Sequence, residues 1–383
     1  MPLGLRAAWA ALLIACGGAQ VARAPAVDPD VATRRAAEAW AGLDPEAALR
    51  EAERALEAGG GPDAREIAAR AALALGRPER AVRALAGIED EALLRLRGAA
   101  QIAAGDRRGA LATLEAAERR ARAPDPWAGA MIPALRAAPE PYAVEGAEAT
   151  LPLAPFPLPV VSVRVDTVET LAILGSGAHV AVLDPSIRNA PGAIDELGLG
   201  ALRVRGVPHV VRSLEAISAA LGAEIGMVIG AELLLRLAAT LDGPGGRVTF
   251  RASPPSSGET SAPCMALGGS FLAAPATLDG RAAWLTLDTA GAYPLALTPA
   301  AAEGLEGWRS DAVTVGALRL GALQVEDIPA LRGVLDEGHA RAVAAPVSGS
   351  VGWGLLGQLV LTFHPGGRIV FEGSRFEEAA PAP

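Results

Sequence analysis

The sequence predicts an α+β multidomain protein in which a helical N-terminal region precedes a mostly-β region made of two similar halves. Between residues 29 and 123, Ala, Leu, Glu and Arg recur at helical spacing, interrupted at intervals by Gly, Asp and Pro. After residue 160 the pattern changes to short Val, Leu and Ile runs separated by Gly and Asp turns, which is typical of strands. With 383 residues, the chain is long enough for two or three hydrophobic cores.

The charge of the chain argues against a nucleic-acid partner. Its formal net charge is -9 at pH 7, its basic residues are all arginine, and no basic run occurs. Since phosphate binding requires clustered basic side chains, we expect no contact with nucleic acid. The four histidines are scattered and lack the paired spacing of metal ligands, so we expect neither a metal nor another cofactor.

The first 16 residues resemble a bacterial lipoprotein signal peptide. Arg6 precedes an apolar run that is too short to span a bilayer and ends in LIACG. The resemblance implies a lipidated Cys16, a tether over residues 17–28, and export to the bacterial cell envelope, with the inner or outer membrane left open. An ordinary signal peptide or a short core helix is the alternative. Lipidation of Cys16 would leave Cys264 without a disulfide partner.

The helical region contains a faint repeat in the segments AGLDPEA, LGRPERA and AGDRRGA. Their glycines, Gly42, Gly76 and Gly105, are 34 and 29 residues apart. A helix-ending glycine followed by turn residues resembles tetratricopeptide helical hairpins, and an irregular bundle is the alternative. Such scaffolds bind partners more often than they catalyse reactions, so we expect a protein partner here. Recurrent prolines predict an interdomain linker over residues 124–159.

The β-rich region contains two copies of one sequence unit. Each copy opens with a hairpin, VSVRVDTVETLAIL or ATLDGRAAWLTL, and continues through a glycine-containing turn into a second apolar strand. Each copy closes on two apolar residues and a glycine before a short helix, and we match Gly230 with Gly357. Two copies imply two lobes with approximate twofold symmetry. The predicted boundaries are 160–251 for the first lobe, 252–264 for a linker, 265–373 for the second lobe and 374–383 for a tail.

The repeated unit resembles the retropepsin-like aspartic protease family, over about Val160 to Gly373. The segment DTAGAYPLAL is similar to the Asp-Thr-Gly motif of that family, with Ala290 in the glycine position. In the family, two lobes hold two Asp carboxylates over one water, and the pair shares a proton. The resemblance therefore assigns the catalytic carboxylate to Asp288 and the hydroxyl braces of the two turns to Thr289 and Ser176.

The first copy departs from this pattern because it has no carboxylate at the equivalent position. Gly175, Ser176 and Gly177 stand where Asp-Thr/Ser-Gly would be expected. In the second copy, we expect Gly291 to take over the flexible role of the motif glycine. We expect Gly230 in the first copy and Gly357 in the second copy to support the turns. The other aspartates in the region, Asp166, Asp184, Asp242 and Asp279, occur in turn or helix-capping contexts. His179, three residues after Ser176, is a further candidate for lining the cleft.

Three functions fit these features. The first is a non-catalytic or weakly active member of this protease family that binds a peptide or protein in the cleft between its lobes. The second is an active aspartic endopeptidase that uses Asp288 with an unorthodox partner, or through a dimer that exchanges lobes. The third is a structural scaffold of the cell envelope, in which both regions serve assembly.

Overall fold

The computed structural model describes most of the chain after its first 27 residues. Cys16, Cys264, the tail after residue 373 and all of the tether except its last residue lie outside the described part. No described helix is both long enough and apolar enough to cross a bilayer. The described residues are 28–123, 125–138, 140, 142–254, 261–263, 265–267, 271–303, 305, 312–320, 323–332, 347–365 and 367–372.

Seven helices follow one another in the N-terminal part of the described chain. Aspartate side chains accept backbone N–H groups at the start of five of them, which satisfies donors that a helix leaves unpaired. Proline in the first turn of five helices fixes the backbone angle φ at a value suited to the helix start. The helices are α1 Pro29–Ala41, α2 Pro45–Glu57, α3 Pro62–Ala74, α4 Pro78–Ala84, α5 Glu91–Ala103, α6 Arg107–Arg120 and α7 Pro126–Ala137.

The turns after α1, α3 and α5 share one backbone geometry, which makes three helical hairpins. In each turn an N–H donates to a carbonyl five residues earlier: Asp44 to Ala39, Arg77 to Ala72 and Asp106 to Gln101. The residue with positive φ is Leu43, Gly76 or Gly105. The structural repeat therefore aligns Leu43, rather than Gly42, with the two glycines, and its steps are 33 and 29 residues. The tetratricopeptide assignment remains a prediction.

The strands of the described chain form three sheets, which we call the first-lobe, second-lobe and interlobe sheets. The first-lobe sheet has the order β1-β8-β7-β3-β4-β10-β5-β9-β6. Its strands are β1 Ala143–Glu145, β3 Val160–Val165, β4 Val168–Gly175, β5 Ala181–Leu183, β6 Gly192–Ile194, β7 Leu197–Leu199, β8 Leu202–Arg205, β9 Val207–Val211 and β10 Ile225–Gly230. Helix α8, Glu215–Leu221, precedes β10, and helix α9, Ala231–Arg236, follows it.

The second-lobe sheet repeats the central strand arrangement of the first. Its order is β14-β15-β16-β20-β17-β19-β18. Its strands are β14 Met265–Leu267, β15 Phe271–Leu278, β16 Arg281–Asp288, β17 Leu295–Leu297, β18 Ala312–Leu320, β19 Leu323–Arg332 and β20 Val347–Gly352. Helix α10, Pro299–Ala302, follows β17, and helix α11, Trp353–Leu356, follows β20.

The interlobe sheet joins the lobes about an approximate twofold axis. Its order is β13-β22-β21-β11-β12-β2, so each lobe contributes three strands in mirrored sequence. At the centre, Thr240 lies opposite Thr362 in an antiparallel pair, and their hydroxyl oxygens are 2.9 Å apart. The strands are β2 Glu148–Pro152, β11 Thr240–Asp242, β12 Arg247–Arg251, β13 Ser261–Pro263, β21 Val360–His364 and β22 Arg368–Glu372.

Two segments that the sequence analysis assigned to linkers instead carry secondary structure. Residues 124–159 contain α7, β1 and β2, and residues 252–264 contain β13. The first lobe therefore begins before residue 160, because β1 belongs to the first-lobe sheet and β2 and β13 occupy equivalent edges of the interlobe sheet. The prolines mislead because they stand where proline is tolerated. Pro126 is in the first turn of a helix, and Pro152 and Pro263 are on edge strands.

The helical region packs directly against both lobes. Leu114 of α6 and Met131 of α7 belong to one buried cluster with Ile173 and Val228 of the first lobe. On the second lobe, the rings of Trp40 and Trp284 have centroids 5.9 Å apart. The burial of these side chains fixes the helical region on the β-rich region through apolar contact.

Candidate active site

The two turns singled out in the sequence lie at equivalent strand ends. Strands β4 and β10 are parallel and end with Gly175 opposite Gly230. Strands β16 and β20 are also parallel and end with Asp288 opposite Gly352. The glycine equivalent to Gly230 is thus Gly352, and the match with Gly357 was wrong. Gly357 ends the short helix α11, five residues further along.

Both strand-end glycines are required by the carbonyl groups of the turn beside them. A Cβ on Gly230 would lie 2.3 Å from the carbonyl oxygen of Val180, and one on Gly352 would lie 2.0 Å from that of Tyr293. The helices that follow donate their first N–H groups to the same turns, from Ala231 to Ala178 and from Trp353 to Gly291. Each lobe therefore holds the turn beside its strand-end glycine through the same backbone contacts.

Ser176 and Thr289 connect the two turns across the lobe boundary. The hydroxyl of Thr289 accepts from the N–H of Ser176 at 2.9 Å and donates to the carbonyl of Leu174 at 2.5 Å. In return, the hydroxyl of Ser176 accepts from the N–H of Thr289 at 3.0 Å and donates to the carbonyl of Leu287 at 2.7 Å. Both side chains are fully buried. The sequence analysis assigned them to bracing single turns, whereas in the structure they brace each other.

The Asp288 carboxylate is partly exposed and lies against the first-lobe turn. Its Oδ1 accepts from the N–H of Ala290 at 3.0 Å, and its Oδ2 accepts from the hydroxyl of Tyr293 at 3.1 Å. A Cβ placed on Gly177 would lie 3.0 Å from Oδ1, so the backbone of the other lobe passes close to the carboxylate. The two turns therefore meet at one place, as the resemblance implied.

Tyr293 links Asp288 to a second hydroxyl. Its oxygen lies 3.2 Å from Oγ of the buried Ser350. Because a carboxylate can only accept and a phenol has one proton, Tyr293 donates to Asp288 and accepts from Ser350. The Tyr293 hydroxyl therefore links the Asp288 carboxylate to the hydroxyl of Ser350.

In the first lobe, the space of the missing carboxylate is taken up by an apolar side chain. A Cβ on Gly175 would lie 2.6 Å from Cγ1 of Val228 and 3.6 Å from Cβ of Ala290. Val228 pairs with the strand β5, and Ser350 pairs with the equivalent strand β17. The position that holds a hydroxyl in the second lobe thus holds a β-branched hydrocarbon in the first.

Ala290 and Gly291 differ from their expected roles. Neither residue has a positive φ, so the turn makes no demand for a left-handed conformation there. Gly291 is instead required by proximity, since its Cβ would lie 2.7 Å from Cζ of Tyr293. Alanine fits in the position of the motif glycine because it needs only an ordinary backbone conformation.

The other aspartates considered in the sequence analysis lie in turns or hold a loop in place. Asp166 and Asp279 have φ values of 54° and 48° at the tips of the two equivalent hairpins. Asp184 accepts from the N–H groups of Leu214 and Ser186, which holds its pKa below the usual value. Its carboxylate fixes a loop rather than capping a regular helix. The described residues include no group of three His, Cys, Asp or Glu side chains that could hold a metal ion.

Three residues of the site escaped the sequence analysis. Tyr293 follows Asp288 by five residues, and Val228 and Ser350 each lie two residues before a strand-end glycine. Their roles depend on strand pairing, which the local motifs do not show. The one available signal was Tyr293, which is one of two tyrosines in the chain and stands beside the motif.

Both tyrosines of the chain are predicted to remain protonated until the protein unfolds. Burial raises the pKa of Tyr293, and the charge of Asp288 raises it further. Burial also raises the pKa of Tyr142, with a second contribution from Glu232. The unfolded chain ionises these phenols at about pH 10. The stability that the protonated phenols contribute is therefore present below about pH 10 and is lost as the pH rises above it.

This prediction is checked by an alkaline titration that follows tyrosinate absorbance and circular dichroism together. We expect the two signals to change at the same pH, and Tyr293→Phe to make the loss of stability less steep. Tyrosinate absorbance that appears near pH 10 while the circular dichroism stays native would contradict it.

Comparison with solved structures finds aspartic proteases. A retropepsin-like aspartic protease from Rickettsia conorii is 14% identical, with a TM-score of 0.22; the match covers 29% of this chain and 93% of that one. An aspartic proteinase from Irpex lacteus is 12% identical, with a TM-score of 0.38; the match covers 61% of this chain and 99% of that one. Comparisons with family models and with curated proteins gave no match.

Proposed function

We propose that this protein binds an extended peptide segment in the cleft between its lobes and is a non-catalytic or weakly active relative of the aspartic proteases. The observation that carries the proposal is the first-lobe turn. Position 175 is glycine, and Val228 Cγ1 fills the space that a side chain there would need. An apolar group in this place disfavours a charged carboxylate beside Asp288, and with it the proton-sharing pair.

The retained parts of the site suit binding. The brace between Ser176 and Thr289 is complete, so the two lobes hold a fixed separation without the acid pair. Asp288 keeps a carboxylate oriented by Ala290 and Tyr293, and such a group accepts hydrogen bonds from peptide N–H donors. Extended peptides are held mainly through backbone hydrogen bonds, which need no cleavage chemistry.

The experiment uses fluorescently labelled, denatured casein as the probe. Fluorescence polarisation measures its binding, and mass spectrometry detects any cleavage between acidic and neutral pH. We expect saturable binding with little or no cleavage. Asp288→Asn should preserve binding because the amide keeps an oxygen that accepts hydrogen bonds, whereas Gly177→Phe should abolish binding by filling the cleft beside residue 288. Gly129→Phe is the matched control, because Gly129 is exposed on α7 and its Cβ would meet nothing within 4 Å. Binding that survives Gly177→Phe would contradict the proposed cleft.

An active endopeptidase is the second candidate, and the hydrogen-bonded chain from Ser350 through Tyr293 to Asp288 favours it. Under this alternative, casein is cleaved at acid pH and Asp288→Asn abolishes the cleavage. The same mass-spectrometric assay therefore separates the two candidates. An envelope scaffold without a cleft ligand is the third, and it predicts no casein binding.

Restoring the first-lobe acid requires two changes. Gly175→Asp alone places a Cβ 2.6 Å from the stiff Val228 side chain, so we expect a loss of about 1–3 kcal/mol in unfolding free energy and no new cleavage. Adding Val228→Ser removes the collision and copies the second-lobe residue Ser350. We expect this double variant to recover stability and to gain acid-dependent cleavage of casein. Cleavage by the single variant at the same rate would contradict the role given to Val228.

Membrane attachment is a further part of the proposal. Cys16 would carry a lipid and hold the protein on the envelope, and the helical region would present a surface to a protein partner. Expression of the full chain in a bacterium, followed by membrane fractionation, tests the anchor. We expect Cys16→Ser to move the protein out of the membrane fraction while leaving casein binding unchanged. An unchanged membrane fraction would overturn the lipidation.

A further inference from the structure

A cavity of about 470 Å³ lies where the helical region meets both lobes. Its walls come from the turns after α3 and α5, from α9 of the first lobe and from the start of β15 in the second lobe. Most of the lining is apolar, and one end is polar. The apolar side chains include Leu73, Pro78, Ile102, Leu235 and Leu272.

Arg107 and Glu232 form an ion pair at the polar end. Arg107 is 3% exposed, and its guanidinium lies 2.9 Å from Oε1 of Glu232. It also donates to the carbonyl of Glu140 at 2.6 Å and lies 4.1 Å from the ring centroid of Tyr142. These contacts satisfy the charge of Arg107, and the other cation of the lining, Arg236, is exposed to solvent, so the buried part of the polar end is close to neutral.

Two polar atoms at this end have no hydrogen-bond partner among the residues that the structure describes. They are Nε2 of His179 and Oε2 of Glu232, and both atoms are buried. Both side chains line the cavity. Burial lowers the pKa of His179, which keeps its imidazole neutral near pH 7 although the charge of Glu232 opposes the shift. Unpaired buried groups are costly, so this pair of atoms points to a ligand that satisfies them.

We propose that the cavity binds a neutral amphiphile with an apolar body and a hydroxyl head, which donates to Oε2 of Glu232 and contacts Nε2 of His179. A neutral head is required because Arg107 and Glu232 already cancel, and a charged ligand would bury an uncompensated charge. The volume accommodates on the order of 15 non-hydrogen atoms, at roughly 30 Å³ each. An aliphatic alcohol of up to this size fits the chemistry. Asp288, Thr289 and Ser176 are not part of the lining, so the proposal is independent of the peptide cleft.

The probe is 1-octanol, and octanoate is its matched control with a charged head. Isothermal titration calorimetry on the full chain should show saturable binding of one 1-octanol, with octanoate at least about tenfold weaker. Leu235→Trp fills the cavity and should abolish binding. Leu111→Trp should leave it intact, because Leu111 is also a partly buried helical leucine but does not line the cavity.

A third variant tests the polar end. His179→Leu removes the unpaired nitrogen, and we expect 1-octanol to bind at least about tenfold more weakly to it. The proposal is overturned if 1-octanol fails to bind, if octanoate binds equally well, or if Leu235→Trp binds like the wild type. Because Leu235→Trp and the octanoate comparison do not alter His179, the proposal stays testable if His179→Leu fails to fold.

Discussion

Replacing Thr289 with valine is expected to lower the free energy of unfolding by about 2–6 kcal/mol. Valine keeps the shape of threonine but removes the hydroxyl, which leaves the N–H of Ser176 and the carbonyl of Leu174 buried without this partner. Each such loss costs about 1–3 kcal/mol. Because the two hydrogen bonds cross the lobe boundary, we also expect the casein affinity to fall in the part of the population that stays folded.

Thr286→Val is the matched control for this effect. Thr286 is also buried and lies on β16, three residues before Thr289, but its hydroxyl makes one hydrogen bond of 3.4 Å to the carbonyl of Gly349. A bond of this length is weak, so the control should lose less than about 1.5 kcal/mol. Urea denaturation followed by circular dichroism measures both variants. Equal losses in the two variants would show that the interlobe brace contributes no special stability.

The second large effect is expected at the ion pair between the helical region and the first lobe. Arg107→Met leaves the Glu232 carboxylate in a mostly buried place without its cation, and we expect a loss of about 3–5 kcal/mol. Arg107→Met combined with Glu232→Leu removes both charges together. Since apolar replacement of a whole buried pair is often neutral, the double variant should recover most of the loss.

Arg108 provides the control, because it is the next residue and its ion pair is exposed. The side chains of Arg108 and Glu140 are 75% and 64% exposed, so Arg108→Met should change the unfolding free energy by less than about 1 kcal/mol. Thermal and urea denaturation compare the three variants with the wild-type protein. A double variant that is less stable than Arg107→Met would contradict the inference that the loss comes from leaving the Glu232 carboxylate without its cation.

Local sequence patterns predicted the larger elements of the fold well. The helical spacing before residue 123 and the alternating runs after residue 160 correspond to helices and strands. The duplicated hairpins, with aspartates in their turns, correspond to the equivalent hairpins of the two lobes. These features depend on residues close in the chain, where the periodicity of side chains reports the backbone directly.

Patterns that involve proline and glycine were less reliable. Pro126, Pro152 and Pro263 were interpreted as linker residues, although each stands at a helix start or on an edge strand. Gly357 was matched with Gly230 because both follow apolar residues, but pairing with Asp288 selects Gly352. Whether a position requires glycine depends on which backbone atoms approach it closely, and the sequence does not show which atoms those are.

The sequence by itself determined that the protein has a helical part and a doubled β part, with an acid in the second copy and glycine in the first. Only the tertiary structure decided that Thr289 and Ser176 hold each other, that Val228 fills the empty position, and that Arg107 meets Glu232. The members of each of these pairs are separated by 53 to 125 residues in the chain. Contacts of that kind arise from strand register and packing between domains, and they leave no periodic trace in the sequence.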